Sequence, residues 1–209
     1  MSPLRIGVLI SGSGSNLQAL IDAIHKQEIH GEIVVVLSNK KEAYGLQRAK
    51  NHQISAEYVD SRVYQGDHYH ERIMTILQEK QVDLVVLAGY LKMIHPDMIA
   101  AYPNGIINIH PSLIPSFCGK GYYGMKVHEE AIAYGVKVSG ATVHFVDEKP
   151  DHGPVILQET VPVLWEDTPE SLQEKVLKIE HQLLPQAVAL FSQKRIEVVG
   201  RRVKIKEGS

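Results

Sequence analysis

Arg5-Ile6-Gly7-Val8-Leu9-Ile10-Ser11-Gly12-Ser13-Gly14-Ser15-Asn16-Leu17 is the stretch that decides the fold. A short apolar run is followed by alternating serines and glycines, after which Leu17, Leu20, Ile21 and Ile24 repeat at helical spacing. A continuous apolar run suits a strand buried on both faces, and a helix opened by glycines is the start of a strand-helix-strand unit. The pattern then recurs. Ile33 to Leu37 reads as a buried strand, Ala43 to His52 as a helix and Glu57 to Val59 as a weak strand; Asp67 to Lys80 is a second amphipathic helix, with Ile73, Ile76 and Leu77 on one face, and Val82 to Ala88 is a further strand. Such alternation predicts an α/β, Rossmann-like fold with a mostly parallel central sheet and helices on both faces.

Beyond Gly105 to His110, a further strand, the texture changes. Pro111 to Gly124 is rich in Pro, Gly and Ser and reads as a long functional loop. A short helix at Met125 to Tyr134 is expected next, then strands at Gly140 to Val146 and Val155 to Val163. Thr168-Pro169 pairs a capping hydroxyl with proline at the first helical position, so a helix should open there, reach Phe191 and bend at Pro185. Ile196 to Ile205 should close the chain as a small hairpin around Gly200. With 209 residues and neither repeat nor linker, 1–209 is expected to be a single domain.

Charge and composition narrow the function. The net charge of −2 comes from interspersed acids and bases, so no nucleic-acid partner is expected. The opening Met1-Ser2-Pro3-Leu4-Arg5 does not read as a secretory signal, and no apolar run is long enough for a membrane span. One cysteine, Cys118, rules out an internal disulfide, and the cytoplasm is the expected compartment. Eleven histidines fall into no recognisable ligand spacing, so no metal is expected.

Two motifs carry chemistry. In the glycine loop, free N–H groups at a helix start attract a phosphate, although a plain turn with a serine cap explains the same residues. Leu17 stands where a dinucleotide fingerprint has its third glycine, and Leu37-Ser38-Asn39-Lys40 offers no acid for a ribose diol, so a monophosphate suits the loop better than NAD. The second motif is Asn108-Ile109-His110-Pro111-Ser112-Leu113-Ile114-Pro115. Strand alternation puts Asn108 and His110 on one face, His110 at the carboxyl end where open α/β sheets bind ligands. An amide and an imidazole side by side both donate to a developing oxyanion, which suits acyl chemistry. A satisfied strand-end histidine beside a loop-binding asparagine is the bland alternative.

Asn108-Ile109-His110-Pro111-Ser112-Leu113 resembles the signature of the formyltetrahydrofolate-using formyltransferases. The resemblance runs from Arg5 to about Phe191 and takes in Gly14-Ser15-Asn16, Leu87-Ala88-Gly89-Tyr90-Leu91-Lys92-Met93-Ile94, Gly140-Ala141-Thr142-Val143-His144-Phe145-Val146 and Asp151-His152-Gly153-Pro154; Pro150 departs from the aliphatic residue usual before the Asp. It implies the formyltransferase fold and a transferase of purine biosynthesis. The formyl donor is 10-formyltetrahydrofolate as co-substrate and the acceptor is the amine of glycinamide ribonucleotide, with direct transfer and no metal. By the same resemblance Gly14, Ser15 and Asn16 bind the phosphate; Leu91, Lys92, Met93 and Ile94 line the folate pocket with Asn108; and Arg62 contacts folate. Core packing remains the alternative for the Leu91 to Ile94 side chains, and an exposed loop arginine for Arg62.

Glu180 lies among Val176, Leu177, Leu183, Leu184 and Ala187 on its helix, and a carboxylate in an apolar arc needs a partner. The resemblance assigns it to the ribonucleotide. His144 shares a strand face with Thr142 and takes a supporting role. Asp147, Glu148 and Asp151 are the acids available to His110; Asp151-x-Gly153 matches the family's catalytic Asp, so the catalytic set is Asn108, His110 and Asp151. A carboxylate beside His110 is expected to raise its pKa and keep the imidazolium populated near neutrality. A tRNA formyltransferase is disfavoured because it normally has an added C-terminal domain, and a formylfolate hydrolase because its relatives have an added N-terminal one. The assembly is expected to be a monomer or homodimer.

Overall fold

The computed structural model describes residues 2–207; Met1, Gly208 and Ser209, the ends of the 1–209 span, lie outside the described residues. The chain gathers into two compact units, Met1–Ile107 and Asn108–Ser209.

In the first unit, β1 (Leu4–Ile10) pairs in parallel with β2 (Gly31–Ser38) on one side and β4 (Leu84–Leu87) on the other, and β2 pairs in parallel with β3 (Ala56–Tyr58). Ile6, Val8, Leu9, Ile10, Val35, Val36, Leu84, Val85 and Val86 are buried, the unbroken apolar reading expected of parallel strands covered on both faces. The helices α1 (Ser15–His25), α2 (Tyr44–Asn51) and α3 (Asp67–Glu79) alternate with these strands as the apolar spacing predicts. A further helix, α4 (Pro96–Ala101), is not expected from the apolar pattern of the sequence. At six residues it is too short to show a period, but its start is written in His95-Pro96-Asp97: the His95 ring accepts from the Asp97 N–H, and Pro96 occupies the first turn.

Strand β5 (Ile106–His110) passes from the first unit into the second. The second unit continues with α5 (Met125–Tyr134), β6 (Val138–Phe145), β7 (Val155–Pro162), α6 (Pro169–Ser192), β8 (Ile196–Val199) and β9 (Arg202–Ile205). β6 and β7 are antiparallel, β9 lies parallel to β7 through Val155 and Arg202, and β8 is antiparallel to β9. The Thr168 hydroxyl accepts from the Ser171 N–H while the Ser171 hydroxyl accepts from the Thr168 N–H, a reciprocal cap. From that cap α6 continues unbroken through the buried Pro185. The terminal hairpin forms around Gly200, whose φ of 60° is the left-handed geometry the turn needs. The fold is thus α/β and Rossmann-like, with parallel pairings predominating.

Candidate active site

The second unit brings Asn108, His110 and His144 onto the carboxylate of Asp151. Asp151 Oδ2 lies 3.5 Å from His110 Nδ1 and Oδ1 lies 3.7 Å from His144 Nε2. Asn108 Nδ2 donates to Asp151 Oδ1 over 3.4 Å, and the Gly119 N–H donates to Oδ2 over 2.8 Å. Asn108 and His110 come from alternate positions of β5, which aims both side chains the same way; His144 comes from β6; and Asp151 comes from the loop between β6 and β7. Asp151 sits in that loop with φ 51°, a left-handed backbone uncommon for a non-glycine residue. Gly153 explains how the loop closes: a Cβ there would overlap the Phe145 carbonyl at the end of β6, so only glycine lets the chain pass. Asp147 faces elsewhere and accepts from His152 Nδ1 over 2.7 Å and from the Lys149 N–H over 3.0 Å.

The hydrogen bonds fix which ring nitrogen donates. His144 Nδ1 donates to the Phe145 carbonyl over 2.8 Å, which leaves Nε2 to accept from Asn108 Nδ2 over 3.1 Å and so sets the Asn108 amide. His110 Nε2 donates to the Phe117 carbonyl over 3.0 Å, so the neutral ring turns a bare Nδ1 toward Asp151. The loop that supplies Phe117 is tied down by the Ser112 hydroxyl donating to the Ser116 carbonyl and by Thr142 Oγ1, which donates to the Ser112 carbonyl and accepts from the Ile114 N–H.

Electrostatics correct one expectation. Burial pushes the His110 imidazole below the usual histidine value; the Asp151 carboxylate pulls upward, as expected, but does not win. The ring is 4 % exposed, and the cost of charging it there exceeds what one carboxylate returns. His110 is therefore mainly neutral near neutrality, not an imidazolium. Burial by itself would raise Asp151, but the neighbouring His144, the charge of His110 and the Gly119 N–H hold its carboxyl below the usual range. His128, on α5, was not singled out from the sequence: burial and the nearby His110 push it down to about 4, and its Nδ1 has no hydrogen-bond partner among the described residues.

The first unit carries the other candidate residues. Gly14 caps α1 in the left-handed conformation at φ 70°, and no side chain caps the helix, so the serine-cap alternative does not hold. A Cβ on Gly14 would strike the Cα of Gly45, where the loop passes over α2. Ser15 opens α1, Asn16 is buried beside it, and Arg48 Nε donates to the Ser13 carbonyl over 2.9 Å. Arg48 places a guanidinium against the loop, a contact made across 35 residues that no local motif announces. Ser11 joins this loop to the Leu91 segment: its N–H donates to the Gly89 carbonyl over 3.1 Å and its hydroxyl accepts from the Leu91 N–H over 2.9 Å. Leu91 and Met93 are 49 % and 60 % exposed, so core packing is not what these two side chains do; Lys92 and Ile94 are half-buried, the Lys92 ammonium over the Tyr69 ring. Arg62 is exposed and held in a two-point pair with Asp60. In the second unit, Glu180 is 8 % exposed on the inner face of α6. No group of three or more His, Cys, Asp or Glu side chains is arranged to hold a metal ion among the described residues.

A carboxylate, an amide and two imidazoles meet at a strand end, and comparison with known proteins gives the chain its family. The pattern of the family described as Formyl transferase matches residues 4–188, and the chain belongs to that family. Within the family its likeness is to phosphoribosylglycinamide formyltransferases. The enzyme of that name from Haemophilus influenzae is 40 % identical over 93 % of this chain and 90 % of its own. The chloroplastic one from Vigna unguiculata is 42 % identical over 92 % of this chain, which spans 62 % of that longer relative. The crystal structure of glycinamide ribonucleotide transformylase 1 from Symbiobacterium toebii superposes with a TM-score of 0.93 at 44 % identity, covering 99 % of this chain and 95 % of that one.

Proposed function

We propose that this protein transfers the formyl group of 10-formyltetrahydrofolate to the amine of glycinamide ribonucleotide, a step of purine biosynthesis, within one formyltransferase domain spanning 1–209. The observation that carries the reading is the meeting of Asn108, His110 and His144 on Asp151. The names of the relatives supply the reaction.

The unprotonated amine attacks the formyl carbon, a new C–N bond forms and the formyl oxygen gains charge. Asn108 Nδ2 and His110 Nε2 donate to that oxygen, Asn108 giving up its long bond to Asp151 Oδ1 while keeping the one to His144, and Nε2 giving up the Phe117 carbonyl; a neutral ring suffices for this. The attacking nitrogen then sheds a proton and the folate nitrogen needs one as its C–N bond breaks. The bare Nδ1 of His110, facing the ionised Asp151, gives the proton a place to reside: once protonated, Nδ1 donates to Oδ2. His144 holds the Asn108 amide in register. Gly14, Ser15 and Asn16 take the ribonucleotide phosphate at the N-terminus of α1, with Arg48 adding positive charge, and Glu180 holds the same substrate. Leu91 to Ile94 and Arg62 serve the folate; the exposed Leu91 and Met93 side chains supply apolar surface for its rings. We read the enzyme as cytoplasmic, a monomer or homodimer, with these two small molecules as its partners and without metal or nucleic acid. No described helix is long and apolar enough to cross a membrane.

Calorimetric titration separates the two pockets. Asn16→Ala and Glu180→Ala should weaken glycinamide ribonucleotide and leave folate affinity within about twofold, because a phosphate anchor far along the substrate from its amine acts mainly on binding. Selective loss of folate affinity in those variants would reverse the assignment.

A further inference from the structure

The hairpin of β8 and β9 lies beyond the residues 4–188 that the family pattern covers, yet its turn reaches back to the loop that carries Asp151. Arg201 Nη2 donates to the His152 carbonyl over 2.6 Å, across 49 residues. Its Nη1 lies 3.2 and 3.1 Å from the two ring nitrogens of His152. An atom equidistant from both nitrogens in the ring plane would collide with the carbon between them, so the guanidinium lies over the ring face. His152 is in turn fixed by Asp147 over 2.7 Å. The backbone agrees independently: the β7–β9 pairing of Val155 with Arg202 sets Arg201 alongside the residues just before Val155. The carbonyl that Arg201 grips belongs to the residue immediately after Asp151, whose left-handed φ of 51° is a backbone that the surroundings must hold in place.

We propose that Arg201 is a positioning residue for formyl transfer: by gripping the His152 carbonyl and ring it holds the Asp147–Gly153 loop so that the Asp151 carboxylate stays on His110 and Asn108. This rests on the catalytic reading of Asp151 given above. A hairpin outside the family's matched region thereby sets the geometry of the reacting groups.

The test combines turnover, both Michaelis constants and an NMR titration of the His110 ring, in Arg201→Ala, Arg201→Lys and Asp151→Asn, with Lys204→Gln on the same hairpin as control. Arg201→Ala should lower kcat roughly tenfold to a hundredfold with both KM values within about twofold, since a displacement of the order of 1 Å at a reacting group costs that much. The His110 titration should move downward, the direction Asp151→Asn moves it. In the Asp151→Asn background, adding Arg201→Ala should cost nothing further. Arg201→Lys keeps the charge but loses the planar two-point hold, and should retain most of the defect; Lys204→Gln should match the wild type. Unchanged kcat and His110 titration in Arg201→Ala, an additive loss on Asp151→Asn, or full recovery with Lys would each overturn the proposal. Should the wild type transfer no formyl group, the functional reading fails, while the His110 titration still reports whether Arg201 holds Asp151 in place.

Discussion

At the scale of single residues, the site turns on which of two aspartates serves His110. Asp151 lies 3.5 Å from His110 Nδ1, whereas Asp147 is occupied by His152. Asp151→Asn should lower turnover on the order of a hundredfold or more and move the His110 titration still lower, because it removes the larger of the two contributions that raise it, leaving only the hydrogen bond to the Phe117 carbonyl. Asp147→Asn should leave that titration in place; NMR of the ring carbons in both variants checks the sign. Removing the Asn108 donor with Asn108→Ala should cost about a hundredfold to a thousandfold in kcat, as for other oxyanion donors, measured under saturating substrates. The Asn-x-His spacing showed in the sequence that two donors share a face, because strand alternation is a local rule. Their balance of charge was not legible there. The His110 protonation state depends on a burial that only the packed second unit creates, and the buried His128 sits on a different element and offers no spacing to Asn108 or His110.

At the scale of elements, turns and caps do the positioning. Gly153→Ala should displace the β6–β7 loop, since the added methyl overlaps the Phe145 carbonyl backbone and cannot be relieved by a rotamer change. The expected result is a protein that keeps its far-ultraviolet circular dichroism and loses most of its turnover. Thr168→Ala removes one half of the reciprocal cap on α6 and should cost about 1 kcal/mol, a drop in Tm of about 2–4 °C for a chain of this size, with kcat unchanged. Thr168-Pro169 was readable because capping is written in adjacent residues, and the glycine loop was readable for the same reason. The Arg48 contact with Ser13, the Ser11 link to Leu91 and the Arg201 grip on His152 were not, since each joins residues 35 or more apart with no common motif.

At the scale of the whole molecule, buried titratable groups set the acid limit of stability. His110 and His128 both lie below the ordinary histidine value in the folded state, His128 at about 4. The unfolded chain, with histidines near 6.5, then binds more protons than the folded one across the interval beneath that value. Their contribution is present above about pH 6.5 and is lost as the pH falls toward 4. Asp151, held below the usual carboxylate range, adds a loss at more acidic pH still. Urea midpoints should fall between pH 6.5 and 4, and His128→Gln should flatten that fall. The direct measurement of formyl transfer is to supply 10-formyltetrahydrofolate labelled with 13C in the formyl carbon and follow the label by NMR with and without glycinamide ribonucleotide. Label arriving on the ribonucleotide amine, with the folate stable when the acceptor is omitted, is the predicted result; free labelled formate released at the same rate without the acceptor would contradict it.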